Sequence, residues 1–295
     1  MRALALRALI SAAVLLHPAA AGGFDAPEPY KPEIGQAGKD VIWVPTPQRA
    51  VERMLTLGKV GPDDFLIDLG SGDGRIVIAA AKRYGARGFG VDLNPDMVKL
   101  SQHRARQAGV ADRARFYVRD IFQTDLTPAT VVTLYLLPEL NMRLRPKLLE
   151  LAPGTRIVAN AFDMGEWEAD EFDAQTASAL RLWIVPAQVV GQWAWAEMRN
   201  GRTQRVELEL NQQFQRVSGW ASTGKQRFRI RNARLQGARL RFTLLEEQRP
   251  GYGVRYNYTG RVLGDTIEGE VSSSEAVKPL RWLATRRIRP APGKS

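Results

Sequence analysis

The chain has no cysteine. Disulfides, thiolate nucleophiles and cysteine–zinc sites are excluded together. Histidine is almost as scarce, with His17 and His103 the two present. His17 lies in a segment expected to be removed. One remaining imidazole builds neither a His-rich metal site nor a catalytic triad, so no metal is expected. The apolar run Ala8–Leu16 is too short to span a membrane, and no transmembrane helix is expected beyond that segment. Acidic residues are also short. There are 31 against 42 basic ones, a formal net charge of +11. From Glu171 to Ser295 about 21 basic residues face about 11 acidic ones, so roughly +10 of the total lies there. That excess reads either as a solvated arginine-rich sheet face or as a surface for something acidic: a protein, a lipid headgroup or a nucleic acid.

What is present divides the chain into four. Residues 1–22 have the parts of a secretory signal: basic Arg2 and Arg7, the apolar run, and Ala19-Ala20-Ala21 as a small-x-small cleavage site. They predict a mature start near Gly22 and an exported or periplasmic protein. The alternatives are an uncleaved anchor or a wrongly assigned start, the latter leaving a cytoplasmic chain. Residues 23–40, rich in proline, glycine and charge, read as a linker or extended arm. Residues 41–187 read as an α/β domain and residues 188–295 as a basic β-rich domain, with the boundary near Pro186.

In the α/β part, Val41–Val44 is extended by the prolines that follow, and Pro47 opens a helix. Strands are expected at Phe65–Asp68, Arg87–Asp92, Arg115–Arg119, Thr130–Leu137 and Thr155–Ala159. Helices are expected at Arg75–Tyr84, from Asn94-Pro95 to Gly109, and through Leu151 with an interruption at Pro146. Strands alternating with helices on short connections argue a doubly wound parallel sheet. From residue 180 the character changes. Alternating runs (Leu180–Val185, Gln192–Glu197, Val206–Leu210, Arg227–Ile230, Arg239–Leu244, Val254–Tyr258, Thr266–Val271, Leu280–Ala284) predict an antiparallel barrel or sandwich of about seven or eight strands.

Asp68-Leu69-Gly70-Ser71-Gly72-Asp73-Gly74-Arg75 joins the first strand to a helix. Its glycines allow a tight turn and close approach of a ligand. The spacing G-x-G-x-G led by Asp is not the dinucleotide G-x-G-x-x-G, and Asp68 suits a cationic amine better than a pyrophosphate. Ligands of such sheets bind outside the carboxyl ends of the strands. Three strand ends carry acids that fit one ligand with a cationic centre, a ribose and an adenine. Asp68, with Gly70, Ser71 and Gly72, is expected to hold the ammonium. Asp92 is expected to accept the ribose hydroxyls. Asp120 is expected to take the adenine amino group, with Ile121 packing against the ring.

The octet above, Gly90-Val91-Asp92-Leu93-Asn94-Pro95 and Arg119-Asp120-Ile121-Phe122 resemble the S-adenosylmethionine site of class I methyltransferases. Val44-Pro45-Thr46-Pro47 and Arg156-Ile157-Val158 leading to Phe162 and Trp167 resemble the lysine N-methyltransferases of small mitochondrial membrane proteins, such as the c-type protein of the ATP synthase ring. Bacterial relatives share Tyr135-Leu136-Leu137-Pro138 and Phe162-Asp163-Met164-Gly165-x-Trp167. The resemblance covers about residues 41–170. It implies S-adenosylmethionine as cofactor, held also by Thr46 and Asn94, and a class I methyltransferase-like sheet. It implies a protein substrate, small or membrane-associated. The basic β-rich tail has no counterpart in the mitochondrial enzymes, and its charge is expected to guide the chain to an acidic surface. The acceptor-side residues are expected after the fourth and fifth strands: Tyr135, Pro138, Asn141, Phe162, Asp163 and Trp167. Leu136-Leu137-Pro138 is not the Asn/Asp-Pro-Pro-Tyr signature of enzymes that methylate planar nitrogens, which weighs against nucleic acid. The reading from another class is an exported ligand- or envelope-binding protein on a non-catalytic scaffold of this fold.

Overall fold

The structure is a computed structural model that describes residues 30–36 and 43–288, except 176, 178, 200, 250, 251 and 277. The signal segment and most of the expected linker lie outside the described residues. Among the described residues no helix is long and apolar enough to cross a membrane.

Helix α1 (Gln48–Leu57) follows Pro47 and leads to β1 (Phe65–Leu69). Then come α2 (Arg75–Tyr84), β2 (Arg87–Asp92), α3 (Pro95–Gln107), β3 (Ala114–Val118), β4 (Val131–Leu134), α4 (Pro138–Leu149), β5 (Arg156–Asn160), β6 (Glu171–Asp173) and β7 (Leu180–Ile184). These seven strands form one sheet in the order β3-β2-β1-β4-β5-β7-β6. The first five are parallel, and β7 runs antiparallel to both neighbours. Alternate side chains feed two cores. Leu66, Val131, Val158 and Leu182 join Val51, Met54, Val77 and Ala80 from α1 and α2. Ile67, Val132, Ile157 and Trp183 join Leu144 and Leu148 from α4 on the other face. Near-continuous apolar strands are what a sheet covered on both faces requires.

Four expectations need correction here. The fourth strand ends at Leu134, not Leu137, because its pairing to β1 and β5 runs out there. Tyr135–Leu137 therefore leave the sheet. Pro146 does not interrupt α4. Its ring removes one helical hydrogen bond, but buried Leu144 and Leu148 flank it and pin the helix to the sheet. The run at Leu180 belongs to the first sheet as β7, and three-residue β6 was not foreseen. The third strand begins one residue earlier than expected.

The second sheet has nine strands: β8 (Gly191–Arg199), β9 (Arg202–Gln213), β10 (Arg216–Thr223), β11 (Gln226–Arg229), β12 (Arg231–Gln236), β13 (Arg239–Arg249), β14 (Tyr252–Leu263), β15 (Thr266–Ser273) and β16 (Leu280–Ile288). The expectation of seven or eight missed β10 and β12, whose apolar alternation is broken by Ser, Gly, Asn and Arg. It is a meander that returns on itself. β16 pairs back to β8, and β11 and β12 are halves of one run bent at Ile230, the first half bonded to β10 and the second to β13. The result is a nearly closed antiparallel barrel around Trp193, Trp195, Phe242, Tyr258 and Trp282. Phe242 stacks on Tyr258 at 4.7 Å, and Trp195 meets Trp282 at 5.1 Å. At one end of this core Arg199 is 2 % exposed. It donates to Glu197, to Glu246 Oε2 at 2.8 Å and to Tyr258 Oη at 2.8 Å. A buried guanidinium is tolerated only with such partners.

Candidate functional site

A cavity of 320 Å³ opens at the carboxyl ends of β1, β2, β4 and β5. Its floor is the turn between β1 and α2. Gly70 N and Ser71 N both donate to Val91 O, at 3.0 and 2.9 Å, which folds the turn back over β2. Gly72 has φ 51°, and a Cβ there would lie 2.8 Å from the Trp43 indole nitrogen. Gly74 has φ 79°, and its Cβ would meet Ser101 Cβ at 2.6 Å. Glycine is required at both for conformation and for space.

Asp68 lies at the bottom, 3 % exposed, accepting from Thr133 Oγ1 at 2.7 Å. Burial, aided by the nearby charges of Asp92 and Asp73, pushes its carboxyl up to about 7. Asp92 accepts from Gly72 N and Asn94 N, each at 2.9 Å, and burial raises it too. Asn94 caps α3 by accepting from Asp96 N at 2.9 Å while lining the cavity. Ser71 Oγ is buried without a hydrogen-bond partner among the described residues. Burial would raise Asp73, but Arg75 and Arg104 hold it below the usual carboxylate range. Arg75 also donates to Thr46 O at 2.8 Å, tying the chain before α1 to the turn.

Of the expected cofactor residues, Thr46, Asp68, Gly70, Ser71, Gly72, Asp92, Asn94 and Ile121 line the cavity. Asp120 does not. Its Oδ1 accepts from Phe122 N at 2.8 Å, so its carboxylate closes a local turn after β3. Of the expected acceptor-side residues, Tyr135 and Phe162 line the cavity, beside Leu136, Leu137 and Leu140. Pro138 is the first residue of α4 and does not. Asn141 is buried and donates from Nδ2 to Asp163 O at 3.3 Å, while the exposed Asp163 accepts from Gly165 N at 3.1 Å. Trp167 is a core residue. It is 0 % exposed, 6.2 Å from Trp183 and 6.1 Å from Phe214. An aromatic in a loop motif reads alike whether it faces a ligand or a core.

Sequence reasoning missed the opposite wall. Gln36 and Trp43 line the cavity. Gly35 N bonds Trp43 O at 2.9 Å and Trp43 N bonds Gln36 O at 3.0 Å, so part of the expected linker folds onto the site. The available signal was an aromatic beside Pro45 and Pro47. An acidic floor, an unpartnered hydroxyl and a glycine cradle fit a ligand with an amino-acid end and a ribose.

Residues 68–171 match the family described as the ANTKMT methyltransferase domain. The protein-lysine N-methyltransferase of Saccharolobus islandicus is 42% identical over 133 residues, 44% of this chain and 83% of that protein. The mouse adenine nucleotide translocase lysine N-methyltransferase is 34% identical over 129 residues, 43% of this chain and 56% of that protein. A solved structure titled as an RNA methyltransferase from Salinibacter ruber, in complex with S-adenosyl-L-homocysteine, is 50% identical, covering 50% of this chain and 96% of that one with a TM-score of 0.49. The family match ends at residue 171, before the barrel begins. With the Saccharolobus islandicus relative matched over most of its length, the chain belongs to the protein-lysine N-methyltransferase family of class I methyltransferases, and S-adenosylmethionine is its methyl donor.

Proposed function

We propose that the chain transfers a methyl group to a lysine side chain of a protein acceptor. The observation that carries this is the polarity of the cavity: an acidic, glycine-cradled floor opposite an apolar wall. In this reading Asp68, Gly70, Ser71 and Gly72 take the amino-acid end of the donor, Asp92 the ribose hydroxyls and Ile121 the face of the base. Thr46 and Asn94 border it. The bound sulfonium supplies an already electrophilic methyl group. The protein then has to position the acceptor in line and exclude water. Tyr135, Leu136, Leu137, Leu140 and Phe162 form a wall that desolvates an incoming ammonium, favouring the neutral amine that attacks. The Tyr135 hydroxyl is the hydrogen-bonding group on that wall. Pro138, Asn141 and Asp163 act at one remove, by fixing α4 against the loop after β5. The division near residues 187 and 188 separates this catalytic part from an accessory barrel, whose basic surface directs the enzyme to an acidic acceptor.

The relatives named for lysine methylation support the acceptor class, as does the missing Pro-Pro-Tyr element. The test is transfer of labelled methyl from S-adenosylmethionine onto host soluble proteins, membrane proteins and RNA. Label recovered as methyl-lysine is expected. Label confined to RNA or small molecules overturns the reading. Export is a separate proposal, resting on residues 1–22. Sequencing the amino terminus of the mature protein checks it: a start near Gly22 supports export, and an intact Met1 in a cytosolic fraction refutes it.

A further inference from the structure

The barrel touches the catalytic part at a costly residue. Phe214, in the turn between β9 and β10, has φ 53°. A bulky side chain in the left-handed region carries backbone strain that glycine would avoid. Its ring stacks on Trp167, with 6.1 Å between centroids and 16° between planes, and the Arg145 guanidinium of α4 lies 5.5 Å from it. Arg145 also donates to Met164 O at 3.0 Å. Beside it Gln215 donates to Glu168 O at 2.7 Å, and Arg216 pairs with Glu168. The turn itself is fixed by Gln212, which donates to Ala187 O and Phe214 O and accepts from Val189 N. The contacts of Phe214, Arg145, Gln215 and Arg216 converge on Met164, Trp167 and Glu168, within residues 161–169. That loop starts at another strained residue, Ala161 with φ 72°, and its second residue, Phe162, lines the cavity. Strained residues persist when the surroundings over-determine them.

We propose that the β9–β10 turn is a positioning element for methyl transfer, with Phe214 acting through Trp167 to hold the acceptor wall at Phe162. This rests on the reading of the cavity given under Proposed function. It assigns the barrel a part in the reaction of a domain whose family match does not include it.

The diagnostic variant is Phe214→Gly in the full chain, since it relieves the backbone while removing the ring. A role confined to the turn is served as well or better by glycine, whereas a positioning role is lost. With S-adenosylhomocysteine bound, amide exchange in 161–169 is expected to speed up by about tenfold, the scale of one aromatic contact, while exchange in 66–75 stays unchanged. Affinity for S-adenosylhomocysteine stays within about twofold, the rate of labelled-methyl transfer onto the host protein fraction falls about tenfold, and Phe214→Trp restores both the exchange and the transfer rate. Unchanged exchange in 161–169 overturns the proposal, as does a uniform rise through the first sheet. If Phe214→Gly does not fold, Phe214→Leu removes the ring stacked on Trp167 while keeping an apolar side chain, and is read in the same way. Failure of the wild type to bind S-adenosylhomocysteine defeats the cavity reading, and the proposal with it.

Discussion

A carboxylate buried at the end of β1 makes the site respond to pH. Asp68 sits near 7, against 3.8 for an ordinary aspartate. Between those values the folded state binds more protons than the unfolded one, so stability falls as pH rises from about 4 to about 7. An ammonium ligand prefers the ionised form, so affinity must move the other way. Below 7, affinity for S-adenosylhomocysteine is expected to drop by close to tenfold per pH unit and to level off above 7. Calorimetry across that range checks it. A flat profile in the wild type, or a sloping one in Asp68→Asn, would place the ammonium elsewhere. Asp92 needs a gentler substitution. Its carboxylate accepts from Gly72 N and Asn94 N, so Asp92→Ala would strip the turn of both partners. Asp92→Asn keeps one acceptor oxygen, enough for one of those two N–H groups, and should weaken binding by roughly 10- to 100-fold, chiefly through the loss of charged hydrogen bonds to two hydroxyls. The far-ultraviolet spectrum should stay native. Unchanged affinity would mean the ribose lies elsewhere.

The glycine turn was legible in the sequence because its constraint is local: positive φ and close packing admit only glycine at Gly72 and Gly74. The same holds for Asn94, whose capping position follows from Pro95. Asp120 reads less plainly: a strand-end aspartate serves equally well as a turn former, its Oδ1 accepts from Phe122 N, and its neighbour Ile121 is the residue that lines the cavity. The arm containing Gln36 and Trp43 was not legible, since what folds it is pairing between residues 35–36 and 43 and the reach of Arg75 to Thr46 O. That arm is expected to contribute to binding. Trp43→Ala should weaken S-adenosylhomocysteine binding roughly tenfold, the scale of an aromatic contact. A titration of the variant decides this. Full affinity would leave the arm as packing that happens to border the site.

The two sheets carry separate cores, with Trp193, Trp195, Phe242, Tyr258 and Trp282 in the barrel and, among the described residues, no buried member shared with the two cores of the first sheet, although Phe214 packs against one of them. The barrel was visible in the sequence as alternation. Its closure was not, because the bend at Ile230 and the return of β16 to β8 are long-range pairings. The charged group inside it was hidden too, as Glu197 and Arg199 look like ordinary alternating strand residues until Glu246 and Tyr258 are brought to them. Separate cores imply separable unfolding. Arg199→Ala would leave Glu197 and Glu246 buried without their cation, at a cost of about 3–5 kcal/mol. Ligand binding stabilises only the unit that holds the site. Differential scanning calorimetry is therefore expected to show two transitions. S-adenosylhomocysteine should raise one of them, and Arg199→Ala should lower the other. The contact at Phe214 sets how tightly the two are coupled, so Phe214→Gly should widen the gap between them. A single transition moved by both the ligand and Arg199→Ala would make the barrel and the catalytic sheet one cooperative unit.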